Sequence, residues 1–172
     1  MRRREILGVA LLLPLEGLAQ TCGVMTPRQT EGPFFTPNSP KRVSLLEGGE
    51  KTRLVVTGTV LSAGCKPVPN ALLDFWHSDE QGAYDNRGFR YRGHQHADSQ
   101  GRYRLETIVP AEYPGRTRHI HVKVQAPGGR ILTTQLYFPG DPGNKRDGIY
   151  RPELEMKRSK AGETTFDFVV EA

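Results

Sequence analysis

In the stretch Arg118-His-Ile-His-Val-Lys-Val-Gln-Ala126, polar and apolar side chains alternate strictly from His119 onward. Successive side chains of a β-strand point to opposite faces, so this alternation predicts a strand with one apolar face directed into a core. The other face carries His119 and His121, together with a lysine and a glutamine. The strand therefore places two of the chain's five histidines side by side.

Further segments rich in β-branched and aromatic residues have the length and composition of strands. The segments are Arg53–Leu61, Ala71–His77, Arg102–Ile108, Arg130–Phe138 and Thr164–Val170. Between them lie turns and loops rich in glycine and proline, the longest from Ser78 to about Gln100. Thr26 to Pro40 reads as an irregular arm because its prolines forbid regular structure. No segment has the pattern of a long amphipathic helix, and the sequence predicts an all-β protein, an antiparallel β-sandwich with long loops.

The first 20 residues differ in character from the rest. Met1-Arg-Arg-Arg4 is basic, Ile6 to Leu15 is mostly apolar, and Gly17-Leu-Ala-Gln20 resembles a small-residue cleavage site. This pattern predicts a signal peptide at 1–20 and a single domain at 21–172. Arg3-Arg4 also resembles the twin-arginine export pattern, and general secretion is the alternative. Either route predicts an exported protein, periplasmic or extracellular, without stable membrane association after cleavage.

The charge and the cysteine content bear on whether the protein binds nucleic acid and whether it contains a disulfide. The net charge is +5, but the basic residues are scattered rather than gathered in a stripe, so nucleic-acid binding is not expected. The chain has two cysteines, Cys22 and Cys65. In an exported protein they could form a disulfide, and two free thiols are the alternative.

The spacing of His119 and His121 suits two imidazoles on one metal ion. The alternative is that both histidines are solvated on a polar face. The spacing by itself slightly favours this alternative over a metal site. His94 and His96 have the same spacing but lie in the long loop, where surface positions are expected. His77 follows a strand and is predicted to line a pocket or to be structural.

The identity of a metal depends on what accompanies the histidines. Phenolate is a hard anionic ligand suited to Fe(III), and Tyr84 and Tyr113 lie in loops near the predicted strands. The chain has six tyrosines, however, and the pattern alone does not select two of them.

An ordered set of motifs resembles the intradiol ring-cleavage dioxygenases, the group of protocatechuate 3,4-dioxygenase and catechol 1,2-dioxygenase. The resemblance extends from about Thr30 to Phe138. Its motifs are Thr30-Glu-Gly-Pro-Phe-Phe35, Val56-Thr-Gly-Thr-Val60, Pro67-Val-Pro-Asn-Ala71, Leu73-Asp-Phe-Trp76, Gly82-Ala-Tyr84, Gly101-Arg-Tyr103, Thr107-Ile-Val-Pro110, Tyr113-Pro114, Arg116-Thr-Arg-His-Ile-His121 and Leu132-Thr-Thr-Gln-Leu-Tyr-Phe138.

The resemblance implies a site and a reaction. The implied ligands of a non-haem Fe(III) are Tyr84, Tyr113, His119 and His121. Tyr113 would also have a catalytic role as the ligand that leaves the metal, and Arg116 matches the catalytic arginine of the family. Gln135 and Trp76 would line the substrate pocket. The implied reaction is cleavage of a catechol by O2 to a cis,cis-muconate-type product, in the catabolism of aromatic compounds.

Some features depart from the family's pattern and leave the substrate open. Arg116-Thr-Arg-His119 replaces the frequent Arg-Pro-x-His form, and Cys65 stands where glycine or serine is common. The resemblance leaves a homo-oligomer open. The alternatives are a non-catalytic binding module on the same fold, and an exported protein that binds iron or copper without cleaving a ring.

Overall fold

The computed structural model describes residues 23–172, so the predicted signal peptide and Cys22 lie outside the described residues. Two sheets pack face to face, which confirms the all-β sandwich. The strands of the described chain are β1 (Leu54–Ser62), β2 (Leu72–Trp76), β3 (Arg92–His96), β4 (Arg102–Thr107), β5 (His119–Gln125), β6 (Ile131–Tyr137), β7 (Lys157–Lys160), β8 (Glu163–Thr165) and β9 (Phe168–Val170). Two short 3-10 helices lie at Pro142–Lys145 and Pro152–Leu154. Among the described residues, no helix is both long and apolar enough to cross a membrane.

The first sheet has the order β4-β1-β8-β7, with β9 paired to a further part of β1. The second has the order β3-β2-β5-β6 and is antiparallel throughout. The apolar face of β5 packs into the space between the sheets, as its alternation predicts. The core contains fully buried side chains from both sheets, among them Val56, Leu73, Phe75, Leu105, Ile120, Val122, Val124 and Phe168.

The prediction of a wholly antiparallel sandwich is wrong for the first sheet, because β8 and β9 both run parallel to β1. The predicted single strand Thr164–Val170 is also two strands. At the break, the Asp167 carboxylate accepts a hydrogen bond from the Thr59 amide at 2.5 Å, in place of a main-chain partner. The Phe166 carbonyl oxygen lies 1.7 Å from the point where a Cβ on Gly58 would stand, so this approach requires glycine there. Apolar alternation carries no information on strand direction, which explains the error.

Two strands lie in segments that carry no strand signal in the sequence. The predicted loop Ser78–Gln100 contains β3, which lacks apolar alternation and pairs with β2. His94 therefore lies on a strand, half-buried, with Nδ1 2.7 Å from the Ser39 carbonyl oxygen, whereas His96 is exposed as predicted. β7 has four exposed residues, Lys-Arg-Ser-Lys, at the edge of the first sheet. Charged edges of this kind discourage pairing with other chains.

The arm crosses the outer face of the second sheet from one edge to the other. The Gln29 amide donates to the Thr133 carbonyl on β6 at 2.9 Å, and the His94 amide on β3 donates to the Pro40 carbonyl at 3.0 Å. Between these edges, Lys123 of β5 pairs with Glu31. The polar face of β5 is therefore covered by the arm rather than solvated.

The register of the second sheet aligns four side chains under this arm. Trp76 lies opposite Arg92 on one side and His121 on the other, and His121 lies opposite Gln135. We call these four residues the transverse row. Each is at most 3% exposed.

Candidate metal centre

His119 and His121 lie at the start of β5 with both imidazoles on the covered face. Their Nε2 atoms are 3.1 Å apart, and the two side chains are almost completely buried. Nδ1 of His119 lies 2.6 Å from the Thr117 carbonyl oxygen. A carbonyl only accepts, so Nδ1 carries the proton and Nε2 of His119 presents its lone pair.

Burial sets the charge of both histidines. It lowers the pKa of His119 to about 4, although the hydrogen bond to Thr117 acts in the opposite direction. Burial, together with the charge of His119, lowers the pKa of His121 well below its ordinary value. Both imidazoles are therefore neutral near pH 7, which is the form that binds metals.

Tyr84 lies beside this pair, at the end of a turn after β2. Its hydroxyl oxygen is 3.4 Å from Nε2 of His119. The Phe34 ring of the arm stacks on the Tyr84 ring, with centroids 4.3 Å apart and an angle of 14° between the planes. Burial raises the pKa of Tyr84, so its phenolate form would need a cation close by.

Tyr113 lies beside the Tyr84 and Phe34 rings. Its ring centroid lies 5.9 Å from that of Tyr84 and 5.2 Å from that of Phe34. Tyr113 is half-buried, and its carbonyl accepts a hydrogen bond from the Arg116 amide at 2.7 Å, which closes a tight turn. The structure therefore brings His119, His121 and Tyr84 into direct proximity. Tyr113 joins this group through its ring contacts with Tyr84 and Phe34.

Arg116 is held by a buried carboxylate and by two side chains of β6. Its Nε donates to Oδ2 of Asp147 at 2.8 Å, and its Nη2 donates to the Gln135 side chain at 2.5 Å and the Tyr137 hydroxyl at 3.2 Å. Burial alone would raise the pKa of Asp147. Hydrogen bonds from the Ile149 amide, Arg116 and the Thr117 amide nevertheless hold this pKa below its ordinary value. The guanidinium is thus fixed in one orientation.

Gln135 and Trp76 lie on either side of His121 in the transverse row. Gln135 is fully buried, and its Nε2 donates to the Thr30 carbonyl of the arm at 3.0 Å. The Trp76 indole stacks on the His121 ring at 4.8 Å between centroids. Both residues enclose the histidines, and Gln135 also reaches Arg116.

A cavity of about 540 Å³ opens beside Tyr113 and Arg116. This volume lies within the range of small-molecule sites. It is lined by Gln81, Glu112, Tyr113, Arg116, Thr117 and Asp147, among others.

Comparisons with known proteins identify the family. A family model described as "Dioxygenase" matches residues 30–171. Catechol 1,2-dioxygenase of Acinetobacter baylyi is 32% identical over 155 residues, which are 73% of this chain and 50% of that protein. The chain belongs to the intradiol dioxygenase family.

Other relatives support the assignment. The protocatechuate 3,4-dioxygenase beta chain of Burkholderia cepacia is 36% identical over 126 residues, 63% of this chain and 54% of that one. One solved structure is the dioxygenase domain of a dioxygenase carbohydrate-binding protein fusion from Streptomyces sp. SirexAA-E. It is 52% identical with a TM-score of 0.83, and the match covers 87% of this chain and 99% of that one. The chain spans about half the length of these two curated relatives.

The donor set of this intradiol dioxygenase family member fits a ferric ion. Across residues 23–172, no three His, Cys, Asp or Glu side chains are grouped so that they could hold a metal. A metal at His119 and His121 would therefore depend on tyrosine oxygens. Hard phenolates beside two neutral imidazoles are suited to Fe(III), whereas zinc sites normally use cysteine, histidine or carboxylate.

Three contributors to the site were missed at the sequence level. Asp147 lies in the loop Gly140–Arg151, where an aspartate gives no distinguishing signal. Tyr137 lies in the Leu132–Phe138 motif and Phe34 in the Thr30–Phe35 motif, but the resemblance gives neither of them a role. Membership of these motifs is the signal that could have pointed to the site.

Proposed function

We propose that this protein is a non-haem Fe(III)-dependent dioxygenase that cleaves a catechol-type aromatic compound between its two hydroxyl-bearing carbons. In this reaction one carbon–carbon bond and the O–O bond break, and each of the two carbons gains one oxygen atom of O2. The product is a cis,cis-muconate-type dicarboxylate. One observation carries the proposal: Nε2 of His119 lies 3.1 Å from Nε2 of His121 and 3.4 Å from the Tyr84 hydroxyl, and Tyr113, whose ring lies beside that of Tyr84, lines a cavity together with Arg116.

The proposed ligands are Tyr84, Tyr113, His119 and His121. Bound there, Fe(III) would supply Lewis-acid chemistry and a template for the two catechol oxygens. Because Tyr113 lines the cavity and Tyr84 does not, Tyr113 is the ligand best placed to give way to substrate and to hold a proton from it.

Arg116 has the role of a preorganised cation. Its guanidinium borders the cavity and is held by Asp147 and Gln135, so it can stabilise negative charge on the substrate ring without reorganising. Trp76, Gln135 and the arm exclude water from the histidine side of the centre.

The location and assembly proposals depend on the sequence. The basic and apolar pattern of residues 1–20 supports export to the periplasm or the medium. Cell fractionation with N-terminal sequencing of the exported form would test it.

A non-reducing mass measurement of the exported form would test for a disulfide between Cys22 and Cys65. Cys65 is exposed in a turn, where a second cysteine could reach it. Light scattering would decide between monomer and homo-oligomer.

The first test of the function is a visible absorption spectrum of the purified protein loaded with Fe(III). A broad phenolate-to-iron charge-transfer band that shifts when catechol is added is the expected result. Oxygen uptake should then match muconate formation mole for mole. A band without oxygen uptake would leave a metal-binding protein, and a colourless protein that takes up no iron would leave a binding module.

A further inference from the structure

Arg92 is a buried arginine outside the site described above. It begins β3, is 1% exposed, and forms no ion pair with any carboxylate of the described chain. Burying a charge in this way is costly unless its donors are satisfied. Nη2 of Arg92 is among the few buried polar atoms of residues 23–172 without a hydrogen-bond partner.

The remaining guanidinium donors join two segments that are far apart in sequence. Nη1 donates to the Phe34 carbonyl of the arm at 2.5 Å, and Nε donates to the Asp85 carbonyl at 2.9 Å. Both acceptors are main-chain groups, so this geometry depends on the forked shape of the guanidinium as well as on its charge.

The two tethered residues bracket the side chain of Tyr84. Asp85 follows Tyr84 directly, and the Phe34 ring stacks on the Tyr84 ring at 4.3 Å. A movement of either segment would therefore move the hydroxyl that lies 3.4 Å from His119.

The backbone on both sides of Arg92 is tightly constrained. Tyr91, directly before it, has φ of +53°, a left-handed conformation that is unusual for a bulky residue. Gly93, directly after it, has no room for a Cβ, which would lie 2.7 Å from Leu45 Cδ2 and 2.8 Å from Arg42 Cγ. Strain of this kind is commonly found near functional sites.

We propose that Arg92 is a positioning residue, whose guanidinium clamps the arm at Phe34 to the loop at Asp85 and so fixes Tyr84 between them. The importance of this clamp for iron rests on the proposed function. The clamp itself concerns only protein groups and can be tested without metal.

The test compares Arg92→Met with Arg87→Met. Arg87 is exposed in the same loop and makes no side-chain hydrogen bond or ion pair in the described structure, so it is a matched control. Hydrogen exchange of the metal-free full chain would be followed in residues 29–40 and 84–91, with the amides of β5 as internal reference. For Arg92→Met we expect both segments to exchange faster together by about tenfold or more, since hydrogen bonds from charged groups are among the stronger ones. The amides of β5 should not change.

Two further measurements complete the test. Fe(III) affinity should fall about 10–100-fold in Arg92→Met, as for other residues that orient ligands, and stay unchanged in Arg87→Met. Arg92→Lys keeps the charge but not the fork, so we expect it to behave like Arg92→Met. If Arg92→Met does not fold cooperatively, Arg92→Lys takes its place in the comparison with Arg87→Met.

The outcomes separate the two proposals. If the unaltered protein binds no Fe(III), the metal function fails, and exchange in the metal-free protein still decides the clamp. If Fe(III) binds, but neither segment exchanges faster in Arg92→Met than in Arg87→Met, the clamp is wrong and the metal function stands. Full rescue by lysine, or faster exchange throughout the chain, would also overturn the clamp.

Discussion

The indole ring of Trp76 lies nearly parallel to the imidazole of His121, at an angle of 6° and with 4.8 Å between centroids. Metal-binding histidines are usually oriented by a hydrogen bond from their second ring nitrogen. Nδ1 of His121 has no such partner among the described protein groups. The stacked indole thus performs the orienting role that a hydrogen bond performs at His119.

Replacing Trp76 should therefore weaken iron binding through His121. We expect Trp76→Ala to lower Fe(III) affinity about 10–100-fold and the free energy of unfolding by about 3–5 kcal/mol. Trp76→Phe keeps an aromatic ring and should retain most of the affinity. Phe168→Ala, in the core on β9, is the control for lost stability. If it reduces iron affinity as much as Trp76→Ala does, the stacking has no specific role.

The two His-x-His pairs of the chain provide an internal comparison. His119→Ala should abolish Fe(III) retention because it removes one of the two converging Nε2 atoms. His94→Ala changes the pair with identical spacing on β3 and should leave the iron content unchanged. Metal analysis after gel filtration measures both. Equal iron content in the His119→Ala variant and the unaltered protein would remove His119 from the proposed ligands.

Arg116 and Asp147 should act as a unit in turnover. Arg116→Ala is expected to lower kcat about 10²–10³-fold, the typical loss for a preorganised electrostatic group. Asp147→Asn should lower kcat in the same direction with iron content retained, because Arg116 loses the charge that orients it. Asp98→Asn breaks the exposed pair with Arg102 and is the control. Turnover of Asp147→Asn equal to that of the control would show that Arg116 does not need this partner.

The crossing of Phe166 over Gly58 predicts a large effect from one methyl group. In Gly58→Ala the new Cβ would lie 1.7 Å from the Phe166 carbonyl oxygen, so β1 and the segment between β8 and β9 must separate. We expect a loss of about 3 kcal/mol or more in the free energy of unfolding, at the upper end for overpacking. Gly148→Ala, with no atom within 4 Å of the added Cβ, should change it little. Urea unfolding of both variants makes the comparison.

Because His77 is buried, we expect the folded protein to lose stability in mild acid. Burial lowers its pKa to about 4 in the folded protein, against an ordinary value of 6.5. The unfolded chain therefore binds a proton first as the pH falls. The stabilising contribution is complete above pH 6.5 and is lost towards pH 4, by up to about 3 kcal/mol.

Urea unfolding of the metal-free protein at pH 7, 6 and 5 measures this effect. His77→Gln should show a shallower decline with falling pH than the unaltered protein, although it is less stable at pH 7 because His77 contacts Thr107 at 2.6 Å. His96→Gln, an exposed histidine, should leave the slope unchanged. Equal slopes in all three proteins would contradict the assignment to His77.

The β-sandwich and most of its strands could be predicted from the sequence. The alternation of apolar and polar side chains on β5 and its neighbours directly reflects which side chains are buried. Strand direction and the position of β3 were not accessible in this way. β8 and β9 contact β1 across about a hundred residues. β3 is held by pairing with β2 and by hydrogen bonds to the arm, rather than by an alternating apolar face.

The site was predictable only through the family motifs. The His119-x-His121 spacing alone was ambiguous, because nothing in β5 shows that the arm covers its polar face. Asp147 reaches Arg116 from a loop 31 residues away, and no local pattern marks it.

The central position of β1 has a consequence for the order of folding. β1 is made early, but its parallel partners are residues 163–165 and 168–170. A growing chain therefore holds one side of β1 open until about a hundred further residues have left the ribosome. Such distant pairing makes folding slow, and the unpaired strand would be exposed to other chains in the meantime. We therefore expect the second sheet, whose strands all lie between residues 72 and 137, to form first and the first sheet to close last.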